Sequence, residues 1–364
     1  MECATMREES CCAGPSRLPA DDKPQEVKVG ITQNRAELMS QWADTVKKVV
    51  FIVGGAIIVF AAACNSLTWH LESFWGASGD FWNRQWMKIY NLFGGNLFML
   101  GVVGTELITF TFYWLFNAFF LFVDVTGRPA FILKYKIQED QNTPVPWPKL
   151  KKALQTVLFN QVFVNIPFAL VLYFLMQWRG CNISADLPTF KWVLVEMGVF
   201  LIFEEIGFYY FHRLLHHPRM YRHFHKKHHE WTAPIGVTAI YAHPLEHILA
   251  NMLPPIIGPI LMGSHVSVLW VWFMMVEGSA IVAHCGYHLP LLPSPEAHDF
   301  HHLKFTNCFG TLGFLDRLHG TDNLFRESKN YSRHILLLGI VPLSQTIPDD
   351  LKGKRKALES KKTD

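Results

Sequence analysis

Four stretches of this sequence are predominantly apolar over about 20 residues or more, the length a helix needs to cross a bilayer core of roughly 30 Å. They are Val49–Trp69, Leu92–Val123, Val157–Trp178 and Trp192–Phe211. At that depth no water is present, so every backbone N–H and C=O must pair internally, and single runs of this length do so as helices. The second run is long for one crossing and contains Gly94, Gly95, Gly101 and Gly104. It reads as one tilted helix extending past the lipid. Two further apolar runs, Ile248–Met262 and Val266–Ala283, are interrupted by Pro254, Pro255, Pro259 and Gly263–Ser264. Interrupted backbone is tolerated at depth only inside protein, so these runs read as a re-entrant helical hairpin. The expected fold class is an all-α membrane protein of about four transmembrane helices plus that hairpin.

Composition agrees. Half the residues are apolar and only 17% are charged, against about a quarter in soluble proteins. A net charge of +3 without a long basic tract gives no reason to expect nucleic acid as a partner. Cys3, Cys11, Cys12, Cys64, Cys181, Cys285 and Cys308 show no paired spacing and read as free thiols. The first 46 residues are polar, contain Pro15, Pro19 and Pro24, and have no signal-peptide core, so they read as a flexible tail.

Lys and Arg set the orientation. The loop 124–156 carries Arg128, Lys134, Lys136, Lys149, Lys151 and Lys152, whereas the loops 70–91 and 179–191 carry only Arg84 with Lys88 and Arg179 with Lys191. The positive-inside rule then puts both termini and everything after the fourth span in the cytosol. Asn182-Ile-Ser184, a glycosylation acceptor pattern, falls on the lumenal side. Lys361-Lys362-Thr363-Asp364 resembles a dilysine retrieval signal. Together they predict a multi-pass protein of the endoplasmic reticulum membrane.

Of 18 His, 15 lie between His212 and His302. Four clusters stand out: His212-Arg-Leu-Leu-His216, His225-Lys-Lys-His228-His229, His284-Cys-Gly-Tyr-His288 and His298-Asp-Phe-His301-His302. Residues three and four apart share a helix face. His212/His216 and His284/His288 would each aim two rings at one point, and each HxxHH cluster would converge three. The total is ten imidazoles, enough for two metal ions in a His-rich helical cap on the cytosolic side. Imidazole suits Fe, Zn, Cu or Ni, so ligand type alone does not name the metal.

Carboxylates at membrane depth are costly and are functional candidates by default. Glu204 and Glu205 lie two helical turns before His212, and Glu277 two turns before His284. With Asp299 inside the last cluster, they are candidates to accept the free N–H of the ligand rings. His243 and Glu246 in Tyr241-Ala-His243-Pro-Leu-Glu246-His247 are placed at the edge of the site.

At these residues the sequence resembles the fatty acid hydroxylase/sterol desaturase superfamily of membrane di-iron oxygenases, over about Trp192–Asp322. The likeness rests on Glu204-Glu205, His212-Arg-Leu-Leu-His216-His217-Pro218, His225-Lys-Lys-His228-His229-Glu230 and Ala242-His243-Pro-Leu-Glu246. It continues through His284-Cys-Gly-Tyr287 and His298-Asp-Phe-His301-His302 to Leu315-Asp316-Arg317 and Gly320-Thr321-Asp322. The run of His284-Cys-Gly-Tyr287, His298-Asp-Phe-His301-His302 and Gly320-Thr321-Asp322 looks most like the C4-methylsterol oxidase branch.

The resemblance implies two Fe ions held by the ten clustered His, and O2-dependent hydroxylation of a lipid, foremost the C4 methyl of a sterol in sterol biosynthesis. It also implies electrons from NAD(P)H through cytochrome b5 or its reductase; no GxGxxG fingerprint or fused haem segment occurs in the chain itself. The basic residues Arg213, Arg219, Arg222, Lys226 and Lys227 would suit an acidic redox partner. The implied organisation is a cytosolic tail 1–46, a transmembrane region 47–191, a catalytic domain 192–322 and a cytosolic tail 323–364. Two positions depart from the pattern. Leu315 stands where relatives often have Trp, and His288 stands where the sterol branch more often has an acid but fatty acid hydroxylases have His. A fatty acyl or sphingolipid hydroxylase therefore stays open, as does a non-catalytic membrane signalling protein that retains the fold.

Overall fold

The structure is a computed structural model and describes residues 35–349. The first part of the expected N-terminal tail, with Cys3, Cys11 and Cys12, and the Lys361-Lys362 signal lie outside the described residues. Among those described, Cys64, Cys181, Cys285 and Cys308 are free thiols. The chain forms two compact units, 1–74 and 75–364.

The first unit holds most of helix α1 (Arg35–Leu92), which begins inside the expected tail. The residues after Pro24 include Ala36, Glu37, Leu38 and Met39, good helix formers with no further proline among them. Its apolar window Met39–Ser73 has no buried residues, and Phe51, Ile58, Val59 and Phe60 are exposed. A helix apolar on all sides and covered by nothing else is at home in lipid.

In the second unit α1 ends at Leu92, and Gly94 and Gly95 turn the chain with φ of +62° and +65°. That left-handed turn, open to glycine at no steric cost, breaks the run expected as one helix from Leu92. The span that follows is Met99–Thr126, ending in α2 (Thr105–Thr126). Next come α3 (Trp147–Asn160) and α4 (Ile166–Arg179), which together form the span Trp147–Arg179, and then α5 (Phe190–Leu215). The remaining long helices are α6 (Leu253–Met262), α7 (Val266–His284) and α8 (Glu296–Lys304). There are no named strands among the described residues, and the protein is an all-α membrane protein.

Among the described residues, five helices are long and apolar enough to cross a membrane: Met39–Ser73, Met99–Thr126, Trp147–Arg179, Pro244–Met262 and Val266–His284. The set differs from the sequence expectation in two places. Helix α5, the expected fourth span, is left out because Glu196, Glu204 and Glu205 interrupt its apolar face; all three are buried in protein. The hairpin of α6 and α7, expected to dip in and return, reaches the loop 180–189. There Val266 N–H donates to Asn182 O at 3.0 Å, and Trp86 Nε1 donates to Ser184 O at 2.9 Å. Pro254 and Pro255 follow directly on the π-helical turn His247–Met252 within the continuous helical run Pro244–Met262, and Pro259 lies inside α6, so the prolines do not end the helix.

Small residues let α5 and α6 pack closely. A Cβ on Gly258 would lie 2.8 Å from Phe200 Cα, and one on Gly207 3.0 Å from Pro254 Cβ. Helices in lipid associate through such close backbone approach. At the end away from loop 180–189, the basic loop after α2 meets the histidine-rich segments. Gln138 Nε2 donates to both Asp299 oxygens at 3.1 and 3.0 Å, and Lys152 pairs with Glu230 at 2.7 Å. This loop and the histidines therefore share one end of the bundle, with Asn182 at the other.

Candidate metal centre

The four histidine clusters converge, but not cluster by cluster. One group is His212, His216, His225, His229 and His301; the other is His228, His284, His298 and His302. Within each group the ligand atoms lie within 4.8 Å of one another. Each HxxHH cluster is thus divided: the first and last rings join one group and the middle ring joins the other. Helix geometry explains the division. At about 100° per residue, positions i+3 and i+4 lie on opposite sides of i, so the middle ring of the helical His298–His302 cluster faces away from the other two. The two HxxHH clusters interlock and each supplies ligands to both groups, whereas His212 and His216 join only the first group and His284 only the second.

The expected tenth ring, His288, is not brought to either group. The i, i+4 reading required a helix through His288, but α7 ends at His284 and Gly286 turns the chain at φ +73°. The ring of His288 lies instead between Glu296 Oε1 at 3.2 Å and Ile335 O at 3.0 Å.

Six of the nine rings place Nδ1 against an oxygen that accepts. His212 donates to Phe309 O (2.7 Å), His225 to Glu246 Oε1 (2.7 Å) and His228 to Tyr241 O (3.2 Å). His284 donates to Ala280 O (2.7 Å), His301 to Asn307 O (2.7 Å) and His302 to Trp231 O (2.9 Å). A carbonyl cannot donate, so Nδ1 carries the proton and Nε2 presents a lone pair. His228 Nε2 and His284 Nε2 then face each other at 3.3 Å with no proton between them. His225 Nε2 is 2.8 Å from His216 Nε2, and His298 Nε2 is 2.9 Å from His284 Nε2. Converging lone pairs whose other ring nitrogens are anchored to carbonyl or carboxylate oxygen are what a bound transition metal requires. The donor set fits two such ions.

Burial acts in the same direction. It is the main cause that pushes the imidazoles of His225, His229, His298, His301 and His302 well below the ordinary histidine range, with neighbouring rings adding repulsion. His228 is held down to about 4 and His216 to about 2 for the same first reason. The rings are therefore neutral, the form that binds metal.

None of the four acids proposed from sequence accepts a bond from these rings. Glu205 accepts from Thr311 N, Thr311 Oγ1, Leu312 N and Leu315 N, fixing the loop whose Phe309 carbonyl anchors His212. Asp299 binds Gln138, while Glu204 and Glu277 line a cavity, each with one buried oxygen that has no partner. Glu246, placed at the edge by sequence, is the acid that reaches a ring. His243 caps its own turn by accepting from Leu245 N. The backbone carbonyls that hold five of the rings carry no sequence signal. Glu106, a further acid lining the cavity, did carry one, as a lone carboxylate inside an apolar run.

The cavity has a volume of about 400 Å³ and runs between the helices from Glu106 and Glu277 to His228, His284 and His298. Leu172, Leu201, Ile256, Trp272, Phe273 and Val276 make its walls largely apolar. Of the two histidine groups, only the four-histidine group lines it, through His228, His284 and His298; no ring of the five-histidine group does.

Fold and site together define a class: a multi-pass helical membrane protein with a buried, two-part imidazole centre at the end of an apolar cavity. The chain belongs to the fatty acid hydroxylase family, whose model matches residues 197–321, the stretch that supplies all nine rings. Fatty acid hydroxylase domain-containing protein 2 of Macaca fascicularis is 51% identical over 308 residues, covering 85% of this chain and 92% of that protein. Fatty acid hydroxylase ahd1 of Mycosarcoma maydis is 36% identical, over 66% of this chain and 61% of its own length. Methylsterol monooxygenase 1 of Rattus norvegicus is 35% identical, over 64% of this chain and 81% of its own length. No solved structure matches the chain.

Proposed function

We propose that this member of an oxygenase family is a di-iron monooxygenase that hydroxylates a lipid C–H bond with O2, and that its substrate is a sterol with a C4 methyl group. The observation that carries the enzymatic reading is the opening of His228, His284 and His298 onto an apolar cavity among membrane helices. A metal held there meets a lipid, whereas one held for structure alone needs no such access.

Bound iron would supply the oxygen-activating chemistry that puts one oxygen atom into a C–H bond and releases the other as water. The protein's own groups prepare that chemistry. His212, His216, His225, His229 and His301 would hold one ion, and His228, His284, His298 and His302 the other. Glu246 and the carbonyls of Phe309, Tyr241, Ala280, Asn307 and Trp231 fix ring tautomer and direction, so the site needs little reorganisation on loading. The apolar walls exclude water and hold the lipid carbon against the four-histidine group. Electrons come from outside; the exposed Arg213, Arg219, Arg222 and Lys226 around the centre suit an acidic carrier such as cytochrome b5 or its reductase. We place the protein in the endoplasmic reticulum membrane with both termini cytosolic, on the Lys/Arg bias and the shared end of the basic loop and the histidines.

The sterol assignment is supported by the His284-Cys-Gly-Tyr287, His298-Asp-Phe-His301-His302 and Gly320-Thr321-Asp322 motifs and by the likeness to methylsterol monooxygenases. His288, which argued for a fatty acyl substrate, lies away from both ring groups. The likeness to a fatty acid hydroxylase keeps that second reading in view. Lipid profiling of cells lacking the protein separates them. Accumulation of C4-methylated sterols, reversed by the wild-type chain but not by His298→Ala, is expected. Unchanged sterols with loss of hydroxylated acyl chains would overturn the sterol assignment.

A further inference from the structure

The segment 335–341, Ile-Leu-Leu-Leu-Gly-Ile-Val, is the most apolar stretch outside the helices, yet most of it faces outward. Leu338 is 74% exposed and Ile340 83%, with Ile335, Leu336 and Val341 also exposed. It is not a loose tail. Leu291 N–H donates to Leu337 O at 2.9 Å, Tyr135 Oη donates to Ile340 O at 2.6 Å, and the ring of His288 bonds Ile335 O at 3.0 Å. The buried Leu337 side chain pins its centre. A segment so anchored presents its apolar side chains outward as a fixed surface.

Its surroundings identify what that surface meets. Tyr135, which holds Ile340, follows the short helix Ala130–Leu133, which itself follows the end of α2 at Thr126. Between them, Phe122, Val125 and Phe131 are exposed and extend the apolar surface from a membrane-crossing helix to the segment. Arg128 and Lys134 are exposed in the same stretch. Apolar side chains rimmed by Lys and Arg are the signature of a surface lying in the headgroup layer of a bilayer with anionic lipids. An apolar patch of this kind left in water would be a liability in a soluble protein.

The segment also adjoins the cavity. His334, next to Ile335, lines it and bonds Ser294, another lining residue, at 3.0 Å. Gly310, Thr311 and Leu312 also line the cavity, and Leu312, Phe314 and Leu318 are exposed. Both segments thus carry outward apolar residues beside groups that face the cavity.

We propose that the segment 335–341, with Leu291 and the exposed Leu312, Phe314 and Leu318, is a membrane-docking surface that seats the histidine-bearing end of the protein in the headgroup layer. It holds the cavity mouth against the lipid, so that a bilayer molecule enters without crossing water. The inference is independent of which lipid is oxidised, because it concerns the surface around the mouth rather than the chemistry inside.

The test uses the full chain in vesicles of phosphatidylcholine with phosphatidylserine. Ile340→Cys, in a background with the native cysteines replaced, carries an environment-sensitive fluorophore, and metal content is checked against wild type. The expected result is quenching by lipids spin-labelled near the headgroup and protection from aqueous iodide. Quenching by iodide and not by lipid would overturn the proposal. Protection from both would also overturn it, by showing the segment covered by protein. A second measurement follows uptake of a fluorescent sterol from the vesicles. Leu338→Glu with Ile340→Glu is expected to slow uptake at least tenfold while metal content stays at the wild-type level. Uptake at the wild-type rate with normal metal content would contradict the role at the mouth.

Discussion

His225 donates its Nδ1–H to Glu246 Oε1 at 2.7 Å, and this is the one side-chain carboxylate that reaches a ring of either histidine group. The bond joins the second histidine cluster to the Pro244–Met262 segment and turns His225 Nε2 toward His216, 2.8 Å away. The other anchored rings rely on backbone carbonyls, which mutation does not remove. Partners of this kind typically account for 10–100-fold in metal affinity. Glu246→Ala is therefore expected to weaken metal retention by about that factor, and Glu246→Gln, which keeps an acceptor oxygen, by less. Competition with a chelator on purified protein measures both. Equal retention in wild type and Glu246→Ala would rule the support out.

The division of the clusters makes His216 and His288 opposite cases, although sequence spacing treats them alike. His216 Nε2 lies 2.8 to 3.2 Å from the Nε2 atoms of His225, His301 and His229, whereas His288 touches Glu296 and Ile335. Single Ala substitutions are expected to separate them: His216→Ala loses metal, and His288→Ala keeps it. Metal analysis of the two purified variants decides the point, and loss in both would return His288 to the ligand set.

Much of the centre was legible because helical spacing survives folding where a helix is present, as in His298, His301 and His302. His288 was misread because Gly286 ends that regularity, a local turn that outweighs the spacing. Glu204, Glu205 and Glu277 were legible as acids inside apolar runs. The partners of Glu205 were not, since the N–H groups of the 311–315 loop come close only through tertiary structure. The hairpin of α6 and α7 was legible from the break at Gly263–Ser264, but Pro254, Pro255 and Pro259, expected as interruptions, lie within a continuous helical run, after its π-helical turn.

The neutral rings make one contribution of definite sign to the pH dependence of the metal-free protein, while Asp299, raised by burial to about 7, makes one of the opposite sign. His216 and His228 are held to about 2 and about 4 in the folded chain, below the ordinary 6.5. As pH falls through 6.5 the unfolded chain takes up protons that the folded chain refuses, so their contribution to folding stability drops and keeps dropping towards those lower values. Metal loading competes with the same protons. Comparing thermal unfolding of the metal-free wild type with His228→Gln between about pH 8 and pH 5 isolates the ring's share: the wild type should lose Tm relative to the variant on acidification, most steeply below about 6.5. A Tm difference that does not change with pH would contradict the buried neutral imidazole.

The most direct test of the two-part centre is metal analysis combined with X-ray absorption of the full-length protein, purified in detergent after growth with iron. Two iron ions per chain are expected in an imidazole-rich environment, with metal–nitrogen distances of about 2.0–2.2 Å, as imidazole ligation of first-row ions gives. His298→Ala is expected to lower the iron content. A preparation that is active on lipid yet holds one metal ion or none, or whose ions are ligated by sulfur, would contradict the two-part centre.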